Sequence, residues 1–375
     1  MITVIIRLNQ PRLSELRRYM NGQGDHTVRL FKPSVLLFVL AFILVLSACG
    51  NNGSNSSSGA SPSASESPSA APSSPSASES AAPSGDETRK IEHAMGTTEV
   101  KGVPQRIVVL EWTYGEDLLA LGVQPVGFAD IENYKKNVNI EPQLSADVVD
   151  VGTRQEPNLE MIASLKPDLI IGVKFRVEST YEQLAGIAPT IVFDPYPAEG
   201  QGDQYQEMEQ TFKTIADVVG KTAEADKVLE DLNRSYEENK AKLAEAGKAD
   251  MPFVLAMAFS DQNAVTFRLS TDNALAVKAL ERIGLKNAYH SSQFEGYGFS
   301  TTDVEALPGI QDATLLHIIQ STDPALDLLA KNPVWSGLDF VKENRVYALG
   351  GDTWPYGGPL SVKLLAQKTT DLLTQ

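Results

Sequence analysis

Arg154 lies in the stretch VGTRQEPNLEMIASLKPDLIIG, Val151 to Gly172, in the turn before a short helix that carries Glu160 one turn in. A planar guanidinium donates paired hydrogen bonds to the oxygens of groups such as carboxylates, stays charged at every relevant pH and is less costly to desolvate than an ammonium. Its natural chemistry is therefore recognition of an oxygen-rich, often anionic group. The alternative is an ion pair at a helix terminus, because exposed pairs are common and weak. Arg176 in GVKFRVEST and Arg268 in AVTFRLS each follow an apolar run. Both are read as lying after the carboxyl end of a strand, where open α/β sheets place ligands, although either could be structural. Trp112 and Tyr114 follow RIVVL, and Trp354 and Tyr356 follow RVYAL within GGDTWPYGGP. Glycines and Pro355 suggest shaped loops there, and Tyr297 with Phe299 lies in the glycine-flanked FEGYGFS. These rings either wall a ligand site or pack loop against core.

Catalytic signatures are lacking. Gly220-Lys221-Thr222 would need a glycine five residues earlier to cradle phosphates, and Ile215 stands there. The sequence contains neither a GxSxG elbow nor an HExxH pair. Its four histidines, His26, His93, His290 and His317, fall in the leader, a domain edge, a loop and an apolar strand, a poor set for zinc. His317 reads as a core histidine. The expectation is a protein that is not an enzyme, with no cofactor and no metal held by side chains.

The elements that must position these residues are short. Pro157, Leu159, Ile162 and Leu165 fit an amphipathic helix, and Pro167 introduces the strand Leu169 to Ile171. Other β-branched runs are RIVVL, PVGFA, PTIVF, FVLAMAF, AVTFR, LLHII and RVYAL, with helical stretches between them, so the fold class is α/β. Thr222 to Gly247 contains no internal Gly or Pro and puts Val228, Leu229, Leu232, Tyr236 and Leu243 on one face. Such a helix would be about 37 Å long, the width of a domain. It reads either as a strut joining two α/β lobes or as a surface helix of one large domain. The preferred division is an N-terminal lobe over 90–221, a connecting helix over 222–247 and a C-terminal lobe over 248–375.

The N-terminus reads as an export address. Arg29 and Lys32 precede SVLLFVLAFILVL, suited to a signal h-region and short for a membrane span, and Leu46-Ser47-Ala48-Cys49 reads as a lipobox. Residues 1–48 are the expected signal peptide and Cys49, the only cysteine, the expected lipidation site, giving a protein anchored to the outer face of a Gram-positive type cell membrane. Residues 49–89 are dominated by Ser, Ala, Pro and Gly, which cannot bury enough apolar surface to offset chain entropy. That stretch is a tether with a reach of roughly 30–40 Å. The net charge is −16, and loss of a leader with six basic and two acidic residues leaves a mature chain near −20. Such acidity disfavours nucleic acid or an anionic surface as a partner and makes the clustered arginines more informative.

From His93 onward the sequence resembles an ABC-transporter substrate-binding lipoprotein of the iron-siderophore group, of the ferric citrate and ferric hydroxamate type. The resemblance rests on PQRIVVLEWTYGEDLLALGVQPVGFAD, VGTRQEPNLEMIASLKPDLIIG, LAGIAPTIVF, the strut helix, NPVWSGLDFVKENRVYAL and GGDTWPYGGPL, which together cover most of the mature chain. It implies two α/β lobes bridged by one long helix, a ligand in the cleft between them and little hinge motion. The implied ligand is an iron(III) chelate whose own oxygens saturate the metal, and the implied partner is a permease dimer, with the receptor a monomer. Arg154 matches the ligand-contacting arginine of the family's GxR motif. Trp112, Tyr114, Arg176, Arg268, Tyr297, Trp354 and Tyr356 are the further ligand-binding candidates. Glu160 and Glu305 match the glutamates that dock one lobe each on the permease, though the helix dipole alone favours a carboxylate at both places. The ferric citrate branch often has an arginine after the Trp of the last motif. Here Pro355 and Tyr356 stand in that stretch, which favours a less anionic chelate such as a hydroxamate. A cobalamin or haem receptor and a surface-anchored hydrolase are the other readings.

Overall fold

The computed structural model describes residues 87–375, so the signal segment, Cys49 and nearly all of the tether lie outside the described residues. The described chain opens with an antiparallel hairpin, β1 (Thr88–His93) and β2 (Gly96–Lys101). A parallel sheet follows, built from β3 (Ile107–Val109), β4 (Gly127–Phe128), β5 (Val149–Asp150), β6 (Leu169–Val173) and β7 (Thr190–Phe193) in the order β5-β4-β3-β6-β7. β3, β6 and β7 are fully buried, as expected of apolar strands covered by helices on both faces. From β3 the chain first builds outward on one side and then returns to build on the other. The switch point falls between β3 and β6, whose pairing runs from Ile107 opposite Leu169 to Val109 opposite Ile171.

The second sheet is mixed. It contains β8 (Pro252–Asp261), β9 (Ala264–Ser270), β10 (Lys286–Asn287), β11 (Phe299–Thr302), β12 (Thr314–Ile318) and β13 (Val346–Ala348), in the order β11-β9-β8-β12-β13 with β10 also on β8. β8 pairs in parallel with β12 but antiparallel with β9. Arg268 lies inside β9, opposite Met257 and Thr301, rather than after a strand end. The AVTFR run continues in extended form because β9 has a ladder partner on each side, β8 through a tight hairpin and β11 on the other edge.

The lobes are joined by the helix Thr222–Glu245, about 36 Å long at 1.5 Å per residue. It buries Leu229, Leu232, Tyr236 and Leu243, while Val228 is only partly covered. The helices Gln204–Val218 and Pro359–Leu373 pack against it. One apolar cluster runs unbroken from Val109 and Ile171 of the first lobe through Phe212 and Leu232 to Leu255 and Leu316 of the second. Among the described residues no helix is long and apolar enough to cross a membrane.

Candidate ligand cleft

The carboxyl ends of the parallel strands meet at the switch point, where open α/β sheets bind ligands. Glu111, two residues past β3, N-caps the helix Trp112–Ala120 by accepting from the Trp112 amide at 3.0 Å. Its two carboxylate oxygens then divide between two arginines. Oε1 accepts from Arg154 Nη1 at 2.7 Å and Oε2 from Arg176 Nε at 2.8 Å. Arg154 comes from the turn after β5 and Arg176 from the short helix Lys174–Val177 that follows β6, so the adjacency of strands brings together residues far apart in sequence. The side chains of Arg154 and Glu111 are 11% and 9% exposed, which makes this a buried pair and not the weak surface pair that is the alternative for such an arginine. The Arg154 guanidinium also lies 3.4 Å from the centre of the Trp112 ring and 5.6 Å from that of Trp354.

These residues line a cavity of about 410 Å³ between the lobes. Tyr114, Arg154, Arg176, Arg268, Tyr297, Trp354 and Tyr356 all reach it. Trp112 does not. It is buried behind the wall, with its Nε1 donating to the Ala129 carbonyl at 3.2 Å, and it supports Arg154 from beneath. Trp112 and Tyr114 are not in a shaped loop as expected but in the first turn of a helix, because the Glu111 cap starts that helix directly after the strand. Aromatic contacts edge the cleft across both lobes: Phe175 and Tyr196 from the first meet Tyr297 of the second at 6.2 and 4.9 Å. Phe299 meets Tyr356 at 6.2 Å, and Trp354 meets Trp112 at 5.0 Å. Arg268 sits 4.7 Å from the Phe299 ring centre. Burial pushes the Tyr356 phenol up to about 12, and the neighbouring Arg268 charge pulls the other way.

Sequence reasoning missed Glu111, Phe175, Tyr196 and the acids of the cleft. Glu111 and Tyr196 carried the same signal as the chosen aromatics, a position just past an apolar strand. The acids are Asp117, on the helix that starts at Trp112, and Glu207, in the first turn of Gln204–Val218. Burial raises the Asp117 carboxyl well above its ordinary range, with Glu116 and Glu207 adding to the effect. Burial likewise raises Glu207 to about 7, against a hydrogen bond from Thr211 and with Asp194 adding to the rise. Tyr114 is raised by burial and by Glu207, Glu111 and Asp117 around it. Among the described residues neither Tyr114 Oη nor Asp117 Oδ1 has a hydrogen-bond partner.

Elsewhere, Glu160 is exposed in the helix Leu159–Ser164, whose cap is Asn158, accepting from the Met161 amide at 3.0 Å. Glu305 is exposed in a 3-10 segment, Val304–Ile310, not an α-helix, and Asp303 caps it by accepting from the Glu305 amide at 3.0 Å. His317 is buried in β12, where burial lowers it to about 4. No group of three or more His, Cys, Asp or Glu among the described residues could hold a metal ion.

Residues 107–353 match the model of a family described as periplasmic binding protein. The Fe(3+)-citrate-binding protein YfmC of Bacillus subtilis is 33% identical over 72% of this chain and 80% of its own length. The iron(3+)-hydroxamate-binding protein FhuD of Escherichia coli is 30% identical over 69% and 83%. The crystal structure of the Fe3+–Desferal-bound siderophore binding protein FhuD from Vibrio cholerae superimposes with a TM-score of 0.65 at 30% identity, over 72% of this chain and 98% of that one. The superimposed crystal structure shares the fold of two α/β lobes joined by a long helix, and the chain belongs to the periplasmic binding protein family, as a substrate-binding protein rather than an enzyme.

Proposed function

We propose that this protein is an extracytoplasmic receptor that binds a ferric siderophore and presents it to an ABC-transporter permease for iron uptake. The observation that carries the reading is the convergence of Arg154, Arg176 and Arg268 on one aromatic-walled cleft between the lobes. A chelate that satisfies iron(III) with its own oxygens needs from the protein only donors and flat apolar walls, and this cleft offers both. A hydroxamate is favoured over citrate: Glu111 offsets part of the charge of Arg154 and Arg176, and Pro355 and Tyr356 stand where an arginine would add to it. The relatives above include an iron citrate binder and an iron hydroxamate binder, which bracket the same choice. Cys49 as the lipid anchor, residues 49–89 as the tether, and Glu160 with Glu305 as the permease contacts complete the proposal.

Tryptophan fluorescence tests it directly. Trp112 and Trp354 stand 5.0 Å apart beside Arg154, whereas Trp335 is buried in the second lobe against Phe267 and should stay silent. Titration with ferric hydroxamates, ferric citrate, ferric catecholates, cobalamin and haem should give saturable quenching with a ferric hydroxamate, and iron(III) without chelator should not be retained. Preference for cobalamin or haem, or consumption of the bound chelate, would overturn the reading.

A further inference from the structure

The cleft is not uniformly basic. Arg154 and Arg176 gather around Glu111, at the start of the helix Trp112–Ala120. Asp117 lies six residues further along the same helix, a rise of about 9 Å, and still lines the cavity. Glu207 and Thr211 from the helix Gln204–Val218 and Tyr114 line the same cavity, and the Asp117, Glu207 and Tyr114 groups are near enough to act on one another electrostatically. Tyr114 and Asp117 are each 1% exposed, and Tyr114 Oη and Asp117 Oδ1 have no hydrogen-bond partner among the described residues. The Glu207 carboxylate accepts from the Thr211 hydroxyl. Among the described residues no arginine or lysine is paired with either acid: Arg154 and Arg176 are engaged by Glu111, Arg268 lies against the Phe299 ring, and Lys174 stands with Asp194 at 3.6 Å. Buried acceptors of this kind are costly unless something donates to them, and two carboxyls beside a phenol oxygen suit a cation that carries several N–H donors.

We propose that Asp117, Glu207 and Tyr114 form a subsite for a protonated primary amine on the chelator. The substrate is then bipolar, with its oxygen-rich iron core against the arginines and a cationic arm reaching the acids. The arm cannot be an anionic carboxylate, which would meet like charge, and a purely apolar arm would leave the acceptors unmet. This inference rests on the receptor reading above and narrows its ligand class.

The probe is iron(III) complexed by desferrioxamine B, a linear trihydroxamate with one terminal primary amine, set against the same complex with the amine acetylated. The iron core is unchanged between them. Acetylation should weaken binding to the unmodified protein by about tenfold or more, the scale of one charge-assisted contact. Glu207→Gln and Asp117→Asn should each shrink that ratio toward one, whereas Arg154→Ala should weaken both complexes and keep the ratio. Equal affinity of the two complexes for the unmodified protein, a comparison that needs no variant, would overturn the amine subsite, as would an unchanged ratio in both acid variants. Binding of ferric citrate with neither hydroxamate would overturn the subsite and leave the receptor reading standing. Failure of every ferric chelate to bind would overturn both.

Discussion

Arg154 makes contacts that no other side chain could combine: a hydrogen bond to Glu111, a face laid on Trp112 and an edge left to the cleft. A lysine could supply the charge but not the flat stacking surface, so Arg154→Lys should behave more like a loss than a conservative change. Arg154→Ala should weaken ferric chelate binding by about 1.5 to 3 kcal/mol, one to two decades in affinity, with folding intact in a circular dichroism melt. Unchanged affinity in a folded variant would remove it from the site. Arg154 was legible because a guanidinium in a turn before a helix is unusual in a stretch without catalytic residues. Glu111 was not, because its role depends on partners 43 and 65 residues away, and nothing within VVLEW distinguishes it from any charge at a strand end.

At the scale of elements, the loop that carries Trp354 and Tyr356 is held from the other lobe. Glu116, on the helix Trp112–Ala120, accepts from the Ser361 amide at 2.7 Å and its hydroxyl at 2.5 Å, and so caps the helix Pro359–Leu373, whose own cap residue is Gly358. The glycines are required by this approach: a Cβ on Gly357 would lie 2.6 Å from Glu116 Oε2 and one on Gly358 2.5 Å from Asp117 Oδ1. Thr113 adds a hydroxyl bond to the Tyr356 carbonyl at 2.7 Å. Glu116→Ala strands two buried donors and should cost about 1 to 3 kcal/mol of stability, read as a lower urea midpoint at constant slope. It should also weaken chelate binding, because Trp354 loses its position against Arg154. A variant as stable as the parent would mean that the helix start is held by its backbone alone. The GGDTWPYGGP stretch announced a shaped loop from its glycines, and that much was readable. Its fastening to Glu116 was not, because a buried glutamate in an apolar helix gives no sign of which helix end it will meet. Arg268 illustrates the opposite error: its strand was recognised but ended too early, since one of the two ladders that extend it comes from β11, about thirty residues further along the chain, and the other from the hairpin with β8.

For the whole molecule, the two-lobe plan was suggested by one element, the long apolar stripe from Thr222, because a helix of domain width suits a strut between lobes, although the stripe alone also fits a surface helix of one large domain. The continuity of the core was not readable, since it depends on how the helices Gln204–Val218 and Pro359–Leu373 fill the space around that strut. Hydrogen bonds from Asn139 to Asp352 at 2.8 Å and from Gln320 to Asn137 at 2.9 Å add polar ties between the lobes. On the proposed reading, a receptor tied in this way would present both lobes to a permease as one body, which suits recognition by a pair of fixed points. Glu160 and Glu305 are exposed, one on each lobe, and the caps of their helical segments are supplied by Asn158 and Asp303, so capping does not require either glutamate. The helix dipole favours both carboxylates by a few tenths to about 1 kcal/mol, too little for their loss to unfold the chain. Glu160→Lys combined with Glu305→Lys should therefore leave chelate affinity nearly unchanged while abolishing iron uptake in cells, since like charges across a docking interface cost several kcal/mol. Uptake of radiolabelled ferric chelate at equal surface abundance is the measurement, and transport at the parental rate by the double variant would mean that these glutamates serve only the ends of their helices.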